Sequence, residues 1–378
     1  MADNKQNKRP NVPPLRFPEF TEPWERKKLS NFTERVTRKN KGQTNLPLTI
    51  SAQYGLVDQI SFFNNKVASA DMSNYYLLKR GEFTYNKSYS SDYPLGAVKR
   101  LDLYDMGALS TLYICFKIAG DINSDYLVHY FESPKWHRGV YEIAGEGARN
   151  HGLLNIAVGD YFETQHYLPC SLKEQEKIAS MLNLIQRRIE VQNKLIEQLE
   201  SLIKGIIHHL TAESPNVRIA DCLDCHSSTL QENQLKELGK CRVYGANGVC
   251  GYTDSPAING NAILIVKDGS GIGNVSFATG EYSVIGTSNY LTAKSGYNLR
   301  YIYYCLMNFN FAPYKTGMAI PHIYFKDYGK AKIYCPALEE QERIAKILSN
   351  IERKIAIERS ITDHFNEQKQ YLLQRLFI

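Results

Sequence analysis

Reading the edge of a base requires side chains whose donors and acceptors match it, Arg or Lys for guanine and Asn or Gln for adenine. This chain carries such side chains in clusters. Between residues 1 and 168 they are Arg35, Arg38 and Lys39, then Gln53 and Tyr54, then Asn86, Lys87 and Ser88, then Lys99 and Arg100, and finally Arg149. Between residues 214 and 335 they are Tyr244, Asn247, Lys267, Ser270, Asn289, Lys315 and His322. The same residue types also bond phosphates, which positions a protein on a duplex without specifying sequence. They are therefore candidate DNA-binding residues, and no residue-to-base code is visible among them.

Catalytic chemistry is harder to find. Asp268-Gly269-Ser270-Gly271-Ile272-Gly273 is glycine-rich, but no Gly-Lys-Ser/Thr follows and the spacing is not that of a dinucleotide fingerprint. A turn near nucleic acid is the simpler reading. An adenine methyltransferase needs Asn/Asp-Pro-Pro-aromatic. Asn11-Val12-Pro13-Pro14-Leu15 fails twice, by an inserted valine and by leucine in place of the aromatic. Cys222 and Cys225 form a Cys-x-x-Cys pair beside His226, yet Cys241 and Cys250 have the wrong spacing for a zinc ribbon. No catalytic residue and no metal ligand is assigned.

The elements that must position the candidates are signalled by an internal repeat. Residues 172–210 lie on 338–376 at a constant offset of 166 without a gap, LKEQEKIASMLNLIQRRIEV against LEEQERIAKILSNIERKIAI. A repeat of this length marks a duplicated structural unit. Its period is helical. Ile178, Leu182, Ile185, Ile189, Gln192, Ile196, Leu199, Ile203, Ile206 and Leu210 keep 4-3 spacing, a heptad seam broken only at Gln192. The second copy keeps Ile344, Leu348, Ile351, Ile355, Phe365, Leu372 and Leu376, with Glu358, Thr362 and Lys369 at the remaining seam positions. Ser171 followed by Glu174 reads as a capping box. A helix of this length would reach roughly 58 Å. Ile178, Leu182, Ile185, Ile189, Ile344, Leu348, Ile351 and Ile355 are expected to pair the helices or dock partners. Glu358 aligns with Gln192, and a polar residue at matching seam positions either sets register or forms a local wet patch. Pairing within one chain and pairing between chains both remain open.

The organisation is thus block, helix, block, helix: 1–168, 169–213, 214–335 and 336–378. A length of 378 residues suits two domains plus the helices. Both blocks show short aromatic and β-branched runs between turn residues, with strands expected at 46–51, 83–85, 109–116, 262–266 and 288–291. Helices are expected at 124–131 and 299–307. Weak echoes relate the blocks, Gly81–Ser88 to Gly260–Gly269 and Ser110–Lys117 to Thr287–Lys294. The net charge of +6 divides as 21 Lys+Arg against 18 Asp+Glu in 1–168 and 11 against 8 in 214–335, so +3 in each block. The helical segments balance at 6 against 6 and 7 against 7. A localised basic excess suits nucleic acid. No run of 18 apolar residues predicts a membrane span. The polar N-terminus and eight scattered cysteines lead us to expect a reducing, cytoplasmic setting.

A proline followed by Leu-x-Glu-Gln and an isoleucine opens the helix twice, as Pro169 before Leu172-Lys173-Glu174-Gln175 and Pro336 before Leu338-Glu339-Glu340-Gln341. Together with Pro14-Leu15-Arg16-Phe17-Pro18, Trp24 and Leu29, this layout resembles the specificity (S) subunit of type I restriction–modification enzymes. The resemblance implies an α+β fold of two similar mixed α/β target recognition domains, separated by two long repeated helices that pack as an antiparallel coiled coil with pseudo-two-fold symmetry. It implies a non-catalytic subunit reading a bipartite site on double-stranded DNA, one domain per half-site. It implies docking of two adenine methyltransferase subunits, which bind the S-adenosylmethionine, and of restriction or translocase subunits. It places half-site spacing in a linker over 205–214. A coiled-coil scaffold that binds only proteins is the alternative.

Overall fold

The computed structural model describes residues 11–378 apart from 52–53, 65–67, 70, 89, 91–92, 145–151, 153, 270 and 318–320. Gln53, Arg149 and Ser270 therefore lie outside the described residues. The chain forms two compact units, Met1–Val191 with Ile361–Ile378 and Gln192–Ser360.

In unit 1, strands β1 (Thr33–Arg35), β2 (Phe83–Asn86), β3 (Ala97–Arg100) and β4 (Ile114–Ile118) make an antiparallel sheet in the order β1-β4-β2-β3. Side chains alternate across it. Phe83, Tyr85, Ile114 and Phe116 join the core under helix α1 (Ser124–Glu132), with Trp24, Tyr126, Tyr130 and Trp136. Phe83 stacks on Phe116 at 5.5 Å and Tyr85 on Tyr161 at 4.6 Å. Each buried ring contributes about 1.5–3 kcal/mol. Cys115 faces the other way, into a second β layer of the pairs Leu48–Ser51/Gly55–Asp58 and Tyr76–Lys79/Met106–Leu109. The expected strand at 109–116 is thus two strands, broken by a turn in which Tyr113 N bonds Ser110 O. The repeat helix α2 (Leu172–Ala212) belongs to this unit as far as Val191.

Unit 2 follows the same plan. Strands β5 (Leu223–Ser227), β6 (Ala262–Val266), β7 (Val275–Ala278) and β8 (Ser288–Ala293) lie in the order β5-β8-β6-β7, again antiparallel. Ile263, Ile265 and Leu291 share a core with helix α3 (Leu299–Met307). Ala262 and Leu264 face a second sheet carrying Tyr282 and Val284. Phe83 stands opposite Phe116 as Ile263 stands opposite Leu291, which fixes the equivalence of the two sheets. The sequence echoes found the right strands but slipped in register, by one residue at Gly81/Gly260 and by two at Ser110/Thr287. The second repeat helix is α4 (Leu338–Arg375).

Within each unit the repeat helices run antiparallel. Unit 1 buries Ile178 and Leu182 with Leu372 and Leu376, and unit 2 buries Ile196 and Ile203 with Ile344, Leu348 and Ile355. Gln192 Nε2 donates to Glu358 Oε2 at 2.6 Å, so the two polar seam residues at one repeat position meet each other. Lys354 is the main influence holding the Glu358 carboxyl below the usual carboxylate range; Gln192 helps and burial opposes. Lys369, also on the seam, reaches Glu132 at 2.7 Å and Gln186 at 2.8 Å.

Two sequence expectations are corrected here. Glu174 does not close a capping box. Its carboxylate is taken by Arg16, bidentate at 2.7 and 2.8 Å, and by Trp24 Nε1 at 3.2 Å. That gives the Arg16 and Trp24 lead-in a packing role. The segment 205–214 is not a linker, because α2 runs on through Ala212.

Candidate nucleic-acid interface

Helices α1 and α3 are held to the repeat helices by one device used twice. Asn123 caps α1 by accepting from Tyr126 N at 2.8 Å, and its own N–H donates to Gln175 Oε1 at 2.8 Å. Gln175 Nε2 donates in turn to Pro169 O at 2.9 Å. In unit 2, Asn298 accepts from Tyr301 N at 2.9 Å and donates to Gln341 Oε1 at 2.9 Å, while Gln341 Nε2 reaches Pro336 O at 2.8 Å. The Pro…Glu-Gln signature therefore bridges the start of the repeat helix and that of α1 or α3 through a buried amide. Two turns further along the repeat helices, Asn183 bonds His129 and Asp125, and the equivalent Ser349 bonds Tyr304 and Arg300.

The other end of each central strand collects the candidate base-reading residues. Leaving β2, Asn86 Oδ1 accepts from Ser88 N at 3.0 Å, and Lys87 O accepts from Leu154 N at 2.9 Å. Leaving β6, Lys267 O accepts from Ile323 N at 2.9 Å. Lys87 and Lys267 thus occupy one structural position, each where a returning loop crosses the strand end. In unit 2 this pole also carries Asp268 and His322, the exposed Lys315, and the β-turn holding Asn247. A Cβ on Gly271 would lie 3.4 Å from Ala246 Cβ, so the two turns are in contact.

The glycine run has a folding job. Gly269 and Gly273 sit at φ +94° and +86°, where L side chains are strained. Gly269 N bonds Pro321 O at 3.2 Å, and Gly273 N bonds Val266 O at 2.9 Å. These two amides serve the fold.

Other candidates are engaged inside the fold. Arg38 Nη2 lies within hydrogen-bond distance of both Glu82 carboxylate oxygens, at 2.9 and 2.7 Å, and of Leu77 O at 3.1 Å. Arg100 pairs with Asp102 and Asp125, each at 2.7 Å, and bonds Ser124 Oγ. Lys99 faces Glu132 at 3.3 Å. Burial works against the ionised form of Glu132, but His129, Lys369 and Lys99 outweigh it and hold the carboxyl well below its usual range. Lys39 donates to Asn74 O and lies over the Tyr76 ring. Asn289 is buried and accepts from Ser227. Tyr244 packs edge-on to Tyr282. Arg35, Tyr54, Asn247 and Lys315 are exposed. Among the cysteines, Cys222 is buried and donates to Arg218 O, whereas Cys241 lies in the separate strand Cys241–Gly245.

The outer faces of the repeat helices keep apolar side chains in the open. Val191 and Ile357, at one repeat position, are both exposed, as are Leu184, Leu202 and Ile347. Each unit also has a groove beside the end of α1 or α3. In unit 2 it is about 540 Å³ and apolar, with Ile203, Met307 and Ile355 in its wall. In unit 1 it is about 510 Å³ and polar, with Lys369, Glu132 and Gln186 in its wall. Lys369 and Ile203 are equivalent, as are Glu132 and Met307. The same place in the two halves has acquired different chemistry.

Two sheet-and-helix units, each tied to a repeated helix and each presenting a loop-built polar pole, define the class of a duplicated α+β protein with two equivalent modules. Residues 215–366 match the family of type I restriction modification DNA specificity domains. Over this span the chain is similar to the specificity subunits of type I restriction–modification systems. It is 28% identical over 120 residues to a putative type I restriction enzyme specificity subunit of Haemophilus influenzae, covering 31% of each chain. It is 30% identical over 124 residues to the MjaVIII specificity subunit of Methanocaldococcus jannaschii, covering 32% of this chain and 29% of that one. The aligned segment spans about a third of these relatives' length. In fold, the chain resembles the S subunit of the type I system from M. genitalium, with TM-score 0.65 at 16% identity over 97% of this chain and 99% of that one.

Proposed function

We propose that this chain is a non-catalytic specificity subunit that gives a type I restriction–modification complex its DNA sequence preference. Each unit reads one half of a bipartite site through the pole at the end of its central strand. The exposed apolar faces of the repeat helices receive two adenine methyltransferase subunits, which bring the S-adenosylmethionine, and restriction or translocase subunits join the same assembly in the cytoplasm. The observation that carries this reading is the duplication with divergence. The Asn–Gln–Pro bridges and the order of the helix-backed sheet are the same in both units, while the second sheets and the pole residues differ. That is the pattern expected when one scaffold presents two different readers. The equal +3 balance of the two blocks and the matching specificity-domain family support contact with DNA.

The test is the salt dependence of duplex binding by the complex assembled with its methyltransferase. Phosphate neutralisation releases counterions, so log K should fall linearly with log salt concentration, and a specific duplex should outcompete a random one. Binding that ignores salt, or shows no preference among duplexes, would leave a protein-binding scaffold as the better description.

A further inference from the structure

Asp268 and His322 make a contact more constrained than a loop ion pair needs to be. His322 Nδ1 lies 2.6 Å from Asp268 Oδ1, and both side chains keep about a third of their surface exposed, 35% and 30%. The backbone on both sides is fixed. His322 N bonds Thr316 O at 2.7 Å, Thr316 N returns to His322 O at 2.9 Å, and Ile323 N bonds Lys267 O at 2.9 Å. Asp268 N is held by Thr287 O at 3.3 Å. The Tyr324 ring lies near-parallel to the imidazole, at 6.4 Å and 22°. Among the described residues, Nε2 has no hydrogen-bond partner.

A carboxylate only accepts, so the short contact to Asp268 requires the proton on Nδ1. In the neutral ring this makes Nε2 an acceptor held in a fixed direction at the pole. The major-groove groups that donate to such an acceptor are the exocyclic amines of adenine and cytosine. We propose that His322 is a specificity-determining residue for the half-site read by unit 2. It accepts through Nε2 from an adenine N6 or cytosine N4 amine, and Asp268 is the positioning residue that sets its tautomer. This rests on the DNA-reading function proposed above. Unit 1 has no such pair, since Ser88 stands where Asp268 does, so the effect belongs to one half-site.

The test uses the tautomer. Asp268→Asn is nearly isosteric, and its amide serves Nδ1 as either donor or acceptor, so the side chain no longer fixes the tautomer and Nε2 both accepts and donates. The full chain, wild type or variant, is co-expressed with its methyltransferase in a methylation-free host and methyladenine is mapped. At one position of the unit 2 half-site, Asp268→Asn should relax the preference so that guanine and thymine are also accepted, with the other half-site unchanged. His322→Ala should relax that position and lower affinity for the wild-type site about fivefold. It breaks no backbone bond and serves if Asp268→Asn does not assemble. Duplex binding is compared at one fixed pH and salt concentration for all variants. An unchanged motif and affinity in both variants would make the pair a loop fastener and overturn the proposal. A uniform loss across all sequences with a shallower salt slope would make His322 a phosphate contact and also overturn it. No methylation by the assembled wild-type complex would instead sink the underlying DNA-reading function.

Discussion

The bridge made by Gln341 carries a definite energetic expectation. Its side chain is 2% exposed, accepts from Asn298 N at 2.9 Å and donates to Pro336 O at 2.8 Å. Gln341→Ala leaves one amide and one carbonyl without partners at the junction of α3 and the repeat helix. A made hydrogen bond contributes about 1 kcal/mol net, and a polar group left buried and unpaired costs about 1–3 kcal/mol. Two such groups place the loss at roughly 2–5 kcal/mol. For a cooperative unit of this size each kcal/mol corresponds to a Tm shift of about 2–4 °C, so unit 2 should melt roughly 5–15 °C lower. Gln341→Met keeps the volume and removes both bonds, and should lose nearly as much. Glu342→Ala, one residue on and exposed, should stay within about 0.5 kcal/mol of wild type. Urea unfolding of the full chain measures all three. A loss below about 0.5 kcal/mol for Gln341→Ala, or full rescue by methionine, would refute the idea that the hydrogen bonds hold the junction.

Three further outcomes follow from the same structure. Arg16→Ala strands the Glu174 carboxylate, whose side chain is 2% exposed, and should destabilise unit 1 by about 3–5 kcal/mol in denaturant titration; a loss under 1 kcal/mol would contradict it. His166 is buried between Tyr130 and Thr164, and burial pushes its imidazole down to about 4. With the folded value below the unfolded ~6.5, its contribution is complete above pH 6.5 and is lost as pH falls toward 4, about 3 kcal/mol in all; His166→Gln should flatten that part of the stability-versus-pH curve, and an unaltered slope would contradict the assignment. Replacing Ile185 and Ile351, equivalent seam residues, together with Asp should open the seam in both units and abolish co-elution with the methyltransferase on size exclusion, whereas intact assembly would refute the seam assignment.

Much of this architecture was legible in the sequence because it is local or periodic. The 4-3 spacing from Ile178 to Leu210 gave the seam, and the repeat aligned Gln192 with Glu358, but that these two meet each other is seen only in the structure. The strand at 262–266 and the helix at 299–307 match the structure to the residue. What failed depends on distant partners. Glu174 looked like a capping residue because Arg16 and Trp24 are more than a hundred residues away in sequence. That Arg38 and Arg100 are ion-paired was not legible, because Glu82 and Asp125 reach them only through the packing of strands and helix α1. Gly205 looked like a linker start, but an exposed glycine costs a helix about 1 kcal/mol, which flanking Ile203 and Ile207 in the core offset. The slip in the block echoes reflects diverged strands, where equivalence lies in pairing rather than in identity. The Asp268–His322 contact had no sequence signal beyond the presence of both residues near loops.

The most direct measurement is the methylome of a host expressing this chain with its methyltransferase, compared with one in which residues 214–335 are exchanged for the matching block of a relative. The account predicts a single bipartite methyladenine motif for the wild type, and after the exchange a motif altered in one half and identical in the other. A change in both halves would contradict independent reading by the two units, and an assembled complex that leaves no motif would contradict the function itself.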